Sequence, residues 1–346
     1  MEVKPMTIKS ANSAFSHMNL SQLNGETVLV TGATGLIGLA VIKAILVQAP
    51  ACRILAWVRN PEKARMLFAN LPKERIGFVV GDITQPKAIA EPVSYIIHAA
   101  SQTASKTFVN DPVGTIHTAL YGTHNMLELA RDKQVKGFVY LSSMEVYGAP
   151  DTDEVITETH GTNLDTMTVR SSYPESKRMC EALCTAYHAQ FGVPARVIRL
   201  TQTFGPGVSY HDGRVFAEFA RCAIEGRDIV LHTAGETRRC YLFTEDAAAA
   251  ILTVLLKGAD GEAYNAANPR SYCSIRDMAE MVVRECAGGR IRVRVEPEDE
   301  GSHGYAPVLR MNLGVEKLRA LGWEPMVDMA EMFKKLCKDM RNGGGQ

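Results

Sequence analysis

Beyond Glu26 the chain settles into a regular alternation of apolar and polar segments. Short, nearly unbroken apolar runs fall near 27–31, 53–58, 76–80, 95–99, 137–142 and 195–200, and stretches with helical spacing separate them. A run that is apolar at every position, rather than at every second one, suits a strand covered on both faces. The alternation therefore predicts an α/β fold with a parallel, doubly wound sheet. After about Leu200 the order loosens into loops bearing glycine and proline, with helices expected around 245–256, 274–285 and 327–338.

The stretch Thr27 to Ala40 reads as strand, tight turn and helix start, with Gly32, Gly35 and Gly38 at three-residue intervals. Gly32 permits the sharp turn, Gly35 lets the backbone approach a pyrophosphate, and Gly38 lets the helix pack against the strand. The N–H groups at the helix start, around Leu36 and Ile37, are then left for phosphate oxygens. Glycines at this spacing also mark ordinary turns. Here a buried strand precedes them and the apolar helix Ala40 to Leu46 follows, which is the context a dinucleotide site needs. The expected organisation is an N-terminal arm (1–24), an NAD(P)-binding Rossmann-type domain (25–200), a smaller lobe that is mainly substrate-binding (201–340) with part returning to the Rossmann sheet, and a disordered tail (341–346).

Composition narrows the partners. The 346 residues carry 38 basic and 38 acidic side chains, so a polyanion-binding surface is not the expected business and no nucleic-acid partner is expected. The eight cysteines (52, 180, 184, 222, 240, 273, 286, 337) contain no Cys-x-x-Cys pair, and read as reduced, mostly buried thiols with no metal site. Cys180 and Cys184 share a helix face, where core packing explains them better than ligation. The first residues lack an apolar secretory core, and the most apolar helical stretch, Ala247 to Leu256, falls short of the roughly 20 residues that span a bilayer. A cytoplasmic protein without a membrane partner is expected.

Candidate chemistry sits on the later strands. Ser143 follows the apolar run Phe138 to Leu141, and thirty residues on come Tyr173 and Lys177, one helical turn apart. At that spacing the ammonium is expected to lower the phenol's pKa from its usual ~10 toward neutrality, making Tyr173 a proton acceptor while Ser143 orients the substrate oxygen. Tyr-x-x-x-Lys alone is common on amphipathic helices. Glycine turn, strand-end serine and Tyr-x-x-x-Lys in this order resemble the extended short-chain dehydrogenase/reductases that act on nucleotide sugars. Further similarity runs through Gly122 to Asn125, Met144 to Gly148, Arg199 to Pro206 and Arg239 to Asp246, and covers the chain from Glu26 to about Lys335.

That resemblance implies further roles. Asp82 and Ile83 after the third strand would bracket the adenine, and Ala99 and Ala100 after the fourth would let the cofactor lie against the backbone. Taken by itself Asp82 is equally a loop cap, and His98 reads as a packed core histidine. Lys177 would also hold the nicotinamide ribose. Arg239 would bind the nucleotide diphosphate, and Arg214, in a segment resembling a loop of UDP-glucuronate decarboxylases, would reach the same end; Gln202 stands where the family usually has Asn. No carboxylate closes the second strand, where an NAD enzyme is expected to carry one, and Arg59 stands there instead. It either meets a 2′-phosphate, favouring NADP over NAD, or is a solvated strand-end arginine.

Reaction type turns on Ser143-Met144-Glu145. The resemblance to dTDP-glucose 4,6-dehydratases implies Asp then Glu after the hydroxyl; here Met144 replaces the Asp and Glu145 remains. Glu145 is either the base that follows oxidation or a helix-start cap. The reading is a nucleotide-sugar enzyme working through transient C4 oxidation, with 4,6-dehydratase chemistry slightly ahead of UDP-glucuronate decarboxylation or epimerisation. An NADPH-dependent sugar reductase is a neighbouring alternative and a non-catalytic dinucleotide sensor one of another class. A homodimer through the helices bearing Asn125 and Tyr173 is implied by the resemblance.

Overall fold

The computed structural model describes residue 15, residues 18–297 and residues 308–343. Most of the expected N-terminal arm and residues 344–346 of the expected tail lie outside the described residues. The strands are β1 (Thr27–Thr31), β2 (Arg53–Val58), β3 (Ile76–Val80), β4 (Tyr95–His98), β5 (Gly137–Ser143), β6 (Ala195–Leu200), β7 (Gln202–Phe204), β8 (Ile229–Leu231), β9 (Arg238–Phe243), β10 (Ala263–Ala266), β11 (Asn268–Ser274), β12 (Val293–Val295) and β13 (Arg310–Met311). The helices are α1 (Leu36–Gln48), α2 (Pro61–Leu67), α3 (Ser105–Asn110), α4 (Pro112–Lys133), α5 (Ser172–Phe191), α6 (Val215–Glu225), α7 (Thr244–Lys257), α8 (Ile275–Cys286), α9 (Glu316–Arg319) and α10 (Met329–Arg341).

Seven strands form one parallel sheet in the order β10-β6-β5-β4-β1-β2-β3. Its unbroken apolar runs are explained by two cores. Val28, Val30, Ile54 and Ala56 join a cluster on one face, against α1 and α7, whereas Leu29, Leu55 and Trp57 join a cluster on the other, against α4 and α5. Nearly every residue of a central strand is thus buried, and the fold is a doubly wound Rossmann-type α/β sheet. Local chemistry sets the helix ends: Asp111 caps α4 by accepting from the Gly114 N–H (3.1 Å) ahead of Pro112, and Gly192 ends α5 in the left-handed region at φ 69°. Phe15, Leu20 and Leu23, ahead of β1, are buried in the first of these cores.

A third core belongs to the lobe. Strand β9 is flanked by β7, β11 and β13, and β8 pairs with β12. Helices α6, α8 and α10 close over them, with Phe204 stacked on Phe216 (4.5 Å between ring centroids) and edge-on to Phe333 (5.0 Å). The chain leaves the lobe at β10, which pairs with β6 and extends the main sheet. Asn265 on β10 accepts from the Tyr147 hydroxyl (2.7 Å), tying this seventh strand to the segment after β5.

Candidate active site

Between β1 and β4 the strand order reverses, and a cleft of about 500 Å³ opens beside the carboxyl ends of the strands. Such switch points are where doubly wound sheets leave room for a ligand. Gly32 turns the chain at φ +63°, and a Cβ there would lie 2.8 Å from the Ala99 carbonyl. A Cβ on Gly38 would lie 2.3 Å from the Gly32 carbonyl oxygen, so both glycines are required by backbone contact. Gly35 precedes α1 without a side-chain cap, which leaves the first N–H groups of that helix for a phosphate. Thr31 accepts from the Ala100 N–H (3.0 Å) and its hydroxyl lies 2.7 Å from His98 Nδ1, fixing the β4 end against the turn. Burial pushes the His98 imidazole down to about 3, so it is neutral, as a packed core histidine should be.

Gly32, Gly35, Leu36, Ile37, Gly38, Arg59, Asp82, Ile83, Ala99 and Ala100 all line this cleft. Asp82 accepts from the Thr84 N–H and hydroxyl, both at 2.8 Å, and these bonds hold its carboxyl below the usual range. Asn125 donates to the Ile83 carbonyl (3.0 Å), and Gly122 leaves room for the Ile83 side chain. Arg59 is exposed at the rim, and Lys63, from the first turn of α2, lines the cleft beside it. A backbone cradle that only glycine fits, open helix N–H groups and rim cations make a donor set that fits a dinucleotide.

At the other end of the cleft stand Ser143, Glu145, Tyr173 and Lys177. Ser143 ends β5 and accepts from the Glu145 N–H (3.2 Å), so it caps the 3-10 turn Met144–Tyr147 that carries Glu145. Lys177 is buried on α5, donates to the Leu141 carbonyl (2.7 Å) and sits 4.8 Å from the Tyr140 ring centroid. Burial lowers its ammonium to about 8. The expected depression of the Tyr173 phenol does not hold in this site. Burial first, then the Glu145 charge, push that phenol well above its ordinary value, and the Ser143 hydrogen bond and Arg170 offset this only in part. The reason is geometric: the Lys177 ammonium turns to the Leu141 carbonyl and lies 5.8 Å from the Tyr173 ring centroid. In the ligand-free site burial thus disfavours the Tyr173 phenolate, and the phenol must give up its proton before it can accept one.

Three neighbours of this end carried no local signal. Phe108 of α3 stacks on Tyr173, with centroids 4.1 Å apart and planes 9° from parallel. Arg170, just ahead of α5, pairs with Glu145 at 2.7 Å and lies 4.9 Å from the Phe108 centroid. Glu181, one turn after Lys177, accepts from Ser142 (2.5 Å) and from both ends of the Arg199 guanidinium, bracing β5 and β6 against α5.

The expected nucleotide end is only partly assembled. Gln202 and Arg214 line the cleft, with the Gln202 carbonyl oxygen buried and unpartnered. The Arg214 guanidinium is held by Asp212 at 2.6 to 3.2 Å. Arg239, on β9, is half-buried with an unpartnered Nε and does not line the cleft. All eight cysteines are free, Cys180 and Cys184 are buried in the core, and no metal-holding cluster is found among the described residues. Among those residues no helix is long and apolar enough to cross a membrane.

Residues 28–267 match the model of the NAD dependent epimerase/dehydratase family. The chain belongs to that family. It is an NAD(P)-dependent epimerase/dehydratase of the extended short-chain dehydrogenase/reductase type. Among its relatives, UDP-glucuronic acid decarboxylase 6 of Arabidopsis thaliana is 29% identical over 339 residues, covering 97% of this chain and 93% of the relative. UDP-glucuronic acid decarboxylase 1 of Xenopus tropicalis is 28% identical over 317 residues, covering 91% and 72%. Solved structures share the fold at lower identity. A UDP-N-acetylglucosamine 4-epimerase from Methanobrevibacter ruminantium superposes with a TM-score of 0.79 at 18% identity, covering 92% of this chain and 99% of that one. The dTDP-glucose 4,6-dehydratase DesIV from Streptomyces venezuelae gives 0.75 at 23%, covering 91% and 97%.

Proposed function

We propose that the protein decarboxylates a UDP-linked hexuronic acid through transient oxidation at C4. The observation that carries this reading is the gathering of Ser143, Glu145, Tyr173 and Lys177 at one end of a cleft whose other end is the glycine turn. A dinucleotide held by Gly32, Gly35, Gly38 and the start of α1, with Lys177 toward its ribose, supplies reversible hydride transfer at a sugar carbon. Tyr173, as its phenolate, takes the proton of the C4 hydroxyl as the hydride leaves C4, and Ser143, within hydrogen-bonding reach of that phenol, orients the same oxygen. A ketone at C4 makes the C6 carboxylate a β-keto acid: the C5–C6 bond breaks as carbon dioxide leaves, its electron pair is held as the C4 enolate, and C5 then takes a proton from water. Tyr173 remains the group that returns a proton to the C4 oxygen when the ketone is reduced again.

Two features favour decarboxylation over elimination of water, reversing the order that the sequence suggested. The relatives that span nearly the whole chain carry decarboxylase names. Met144, where a dehydratase resemblance asks for an acid, is buried in the core and has no proton to give a departing hydroxyl. Elimination stays as the second reading because Glu145 lines the cleft as a base would. The rim pair Arg59 and Lys63 supports NADP as the preferred cofactor within a family described as NAD dependent. A homodimer remains part of the proposal.

The test is incubation of the holoenzyme with UDP-glucuronic acid, UDP-glucose, GDP-mannose and dTDP-glucose, followed by mass spectrometry. Loss of carbon dioxide from UDP-glucuronic acid alone is the expected result. Loss of water from a neutral sugar nucleotide would establish the second reading instead, and an unchanged mass with an inverted hydroxyl would establish an epimerase.

A further inference from the structure

Arg196, at the end of β6 away from the site, and Arg199, Arg214 and Arg170, nearer to it, differ in how far their donors are committed. Arg196 spends its guanidinium on the Gly258 and Leu255 carbonyls and on Asp260. Arg199 is engaged by Glu181, Tyr147 and the Glu158 carbonyl. Arg214 is clamped by both oxygens of Asp212. Arg170 has five N–H donors, and the contacts among the described residues engage one of them, Nη2 on Glu145 Oε2 at 2.7 Å. Its side chain is 43% exposed and stands beside Glu145 and Phe108, which line the cleft, although Arg170 itself does not line it in the ligand-free protein.

Its surroundings suit a second carboxylate. The guanidinium lies over the Phe108 ring, which supports a planar cation on an apolar platform and keeps water from that side. Phe108 is itself stacked on Tyr173, so the fork is registered to the ring that meets the C4 oxygen. Glu145, its present partner, lines the cleft and places an anionic group beside it.

We propose that Arg170 is the specificity-determining residue of this site: it recognises the C6 carboxylate of a hexuronic acid, and Glu145 holds its guanidinium in the ligand-free protein. A uronate brings an acceptor for the uncommitted donors, whereas a neutral hexose brings a hydroxymethyl group that gains little from them. This rests on the nucleotide-sugar reading above and adds the residue that selects the acidic sugar. The alternative is a purely structural pair, in which Arg170 serves only to orient Glu145.

Titration calorimetry of the holoenzyme with UDP-glucuronic acid, UDP-glucose and UDP separates the two. The native protein should bind UDP-glucuronic acid roughly tenfold or more tightly than UDP-glucose, the ratio expected of one charge-assisted pair. Arg170→Gln should erase that ratio while leaving UDP and UDP-glucose within about twofold of their native affinities, and Arg170→Lys, which keeps the charge, should restore part of it. A ratio that survives in Arg170→Gln, or equal weakening of both sugars, overturns the assignment while leaving the nucleotide-sugar reading intact. Failure of the native protein to bind any of the three ligands counts against that underlying reading, and the assignment falls with it.

Discussion

Removing the buried ammonium of Lys177 should stabilise the ligand-free protein while destroying its use. Burial lowers this lysine from 10.5 to about 8, a drop worth about 3 kcal/mol at roughly 1.4 kcal/mol per pH unit. The sign follows from proton counting. Between pH 8 and 10.5 the unfolded chain binds the proton more strongly than the folded one, so native stability rises with pH across that window. Below pH 8 the full penalty is present; above 10.5 it is gone. Lys177→Met removes the charge and keeps the volume, but it also deprives the Leu141 carbonyl of a donor at 2.7 Å, costing on the order of 1–2 kcal/mol. The net expectation at pH 7 is a gain of about 1–2 kcal/mol. Urea titrations of cofactor-stripped protein, followed through Trp57 and Trp323, should show the variant's advantage shrinking by about 2 kcal/mol between pH 7 and 9.5. A variant that is less stable at pH 7, by an amount that does not change with pH, would refute the reasoning, because Lys177 would then be held by contacts stronger than its desolvation.

Tyr173→Phe should abolish turnover yet retain dinucleotide, measured by fluorescence titration, because the ring still stacks on Phe108 and only the proton-exchanging oxygen is lost. Gly38→Ala should lower both melting temperature and dinucleotide affinity, since its Cβ would sit 2.3 Å from the Gly32 carbonyl oxygen and the turn must open to admit it; unchanged values by scanning calorimetry and titration would show that the turn yields freely. Arg59→Ala should weaken NADP by about 1–3 kcal/mol and leave NAD nearly unchanged, and an equal loss for both would remove Arg59 from the 2′-phosphate.

The parts of the molecule that could be read from sequence are those where one physical demand acts on consecutive residues. β1 and β2 are buried on both faces, so each is an uninterrupted apolar run, and their limits follow. The glycine turn is legible for the same reason, because Gly32 and Gly38 each answer to a backbone atom that leaves no room for a side chain. Strands β8, β12 and β13 are two or three residues long, too short for any period, and their partners come from distant segments. The same limit holds at the site. Ser143, Tyr173 and Lys177 could be found because two of them share a helix turn and the third ends a strand. Arg170 meets Glu145 across 25 residues, and Phe108 meets Tyr173 from a different helix, contacts that exist only once the fold does. The phenol was misjudged for a related reason: an i, i+4 spacing fixes where Cβ atoms lie, but the long lysine stem delivered its charge to the Leu141 carbonyl instead.

Burial lifts the Tyr173 phenol and lowers the Lys177 ammonium to about 8, so at pH 7 the lysine carries the charge deep in the site and the phenol does not. The solvent-reachable charge at this end resides in Glu145 and Arg170, whose side chains are 30% and 43% exposed. On the proposed reading proton exchange and substrate choice fall to groups in different dielectric surroundings, and salt should separate them. Charges at the rim are screened within a Debye length of about 10 Å at 0.1 M ionic strength, whereas a buried phenol and its serine neighbour are shielded much less. Raising ionic strength should therefore raise KM for an acidic sugar nucleotide more than for a neutral one, while kcat, set by proton exchange at Tyr173, changes little. A parallel rise in KM for both would mean that the rim charge reads only the diphosphate they share, and an effect confined to kcat would place the salt-sensitive step at the buried groups.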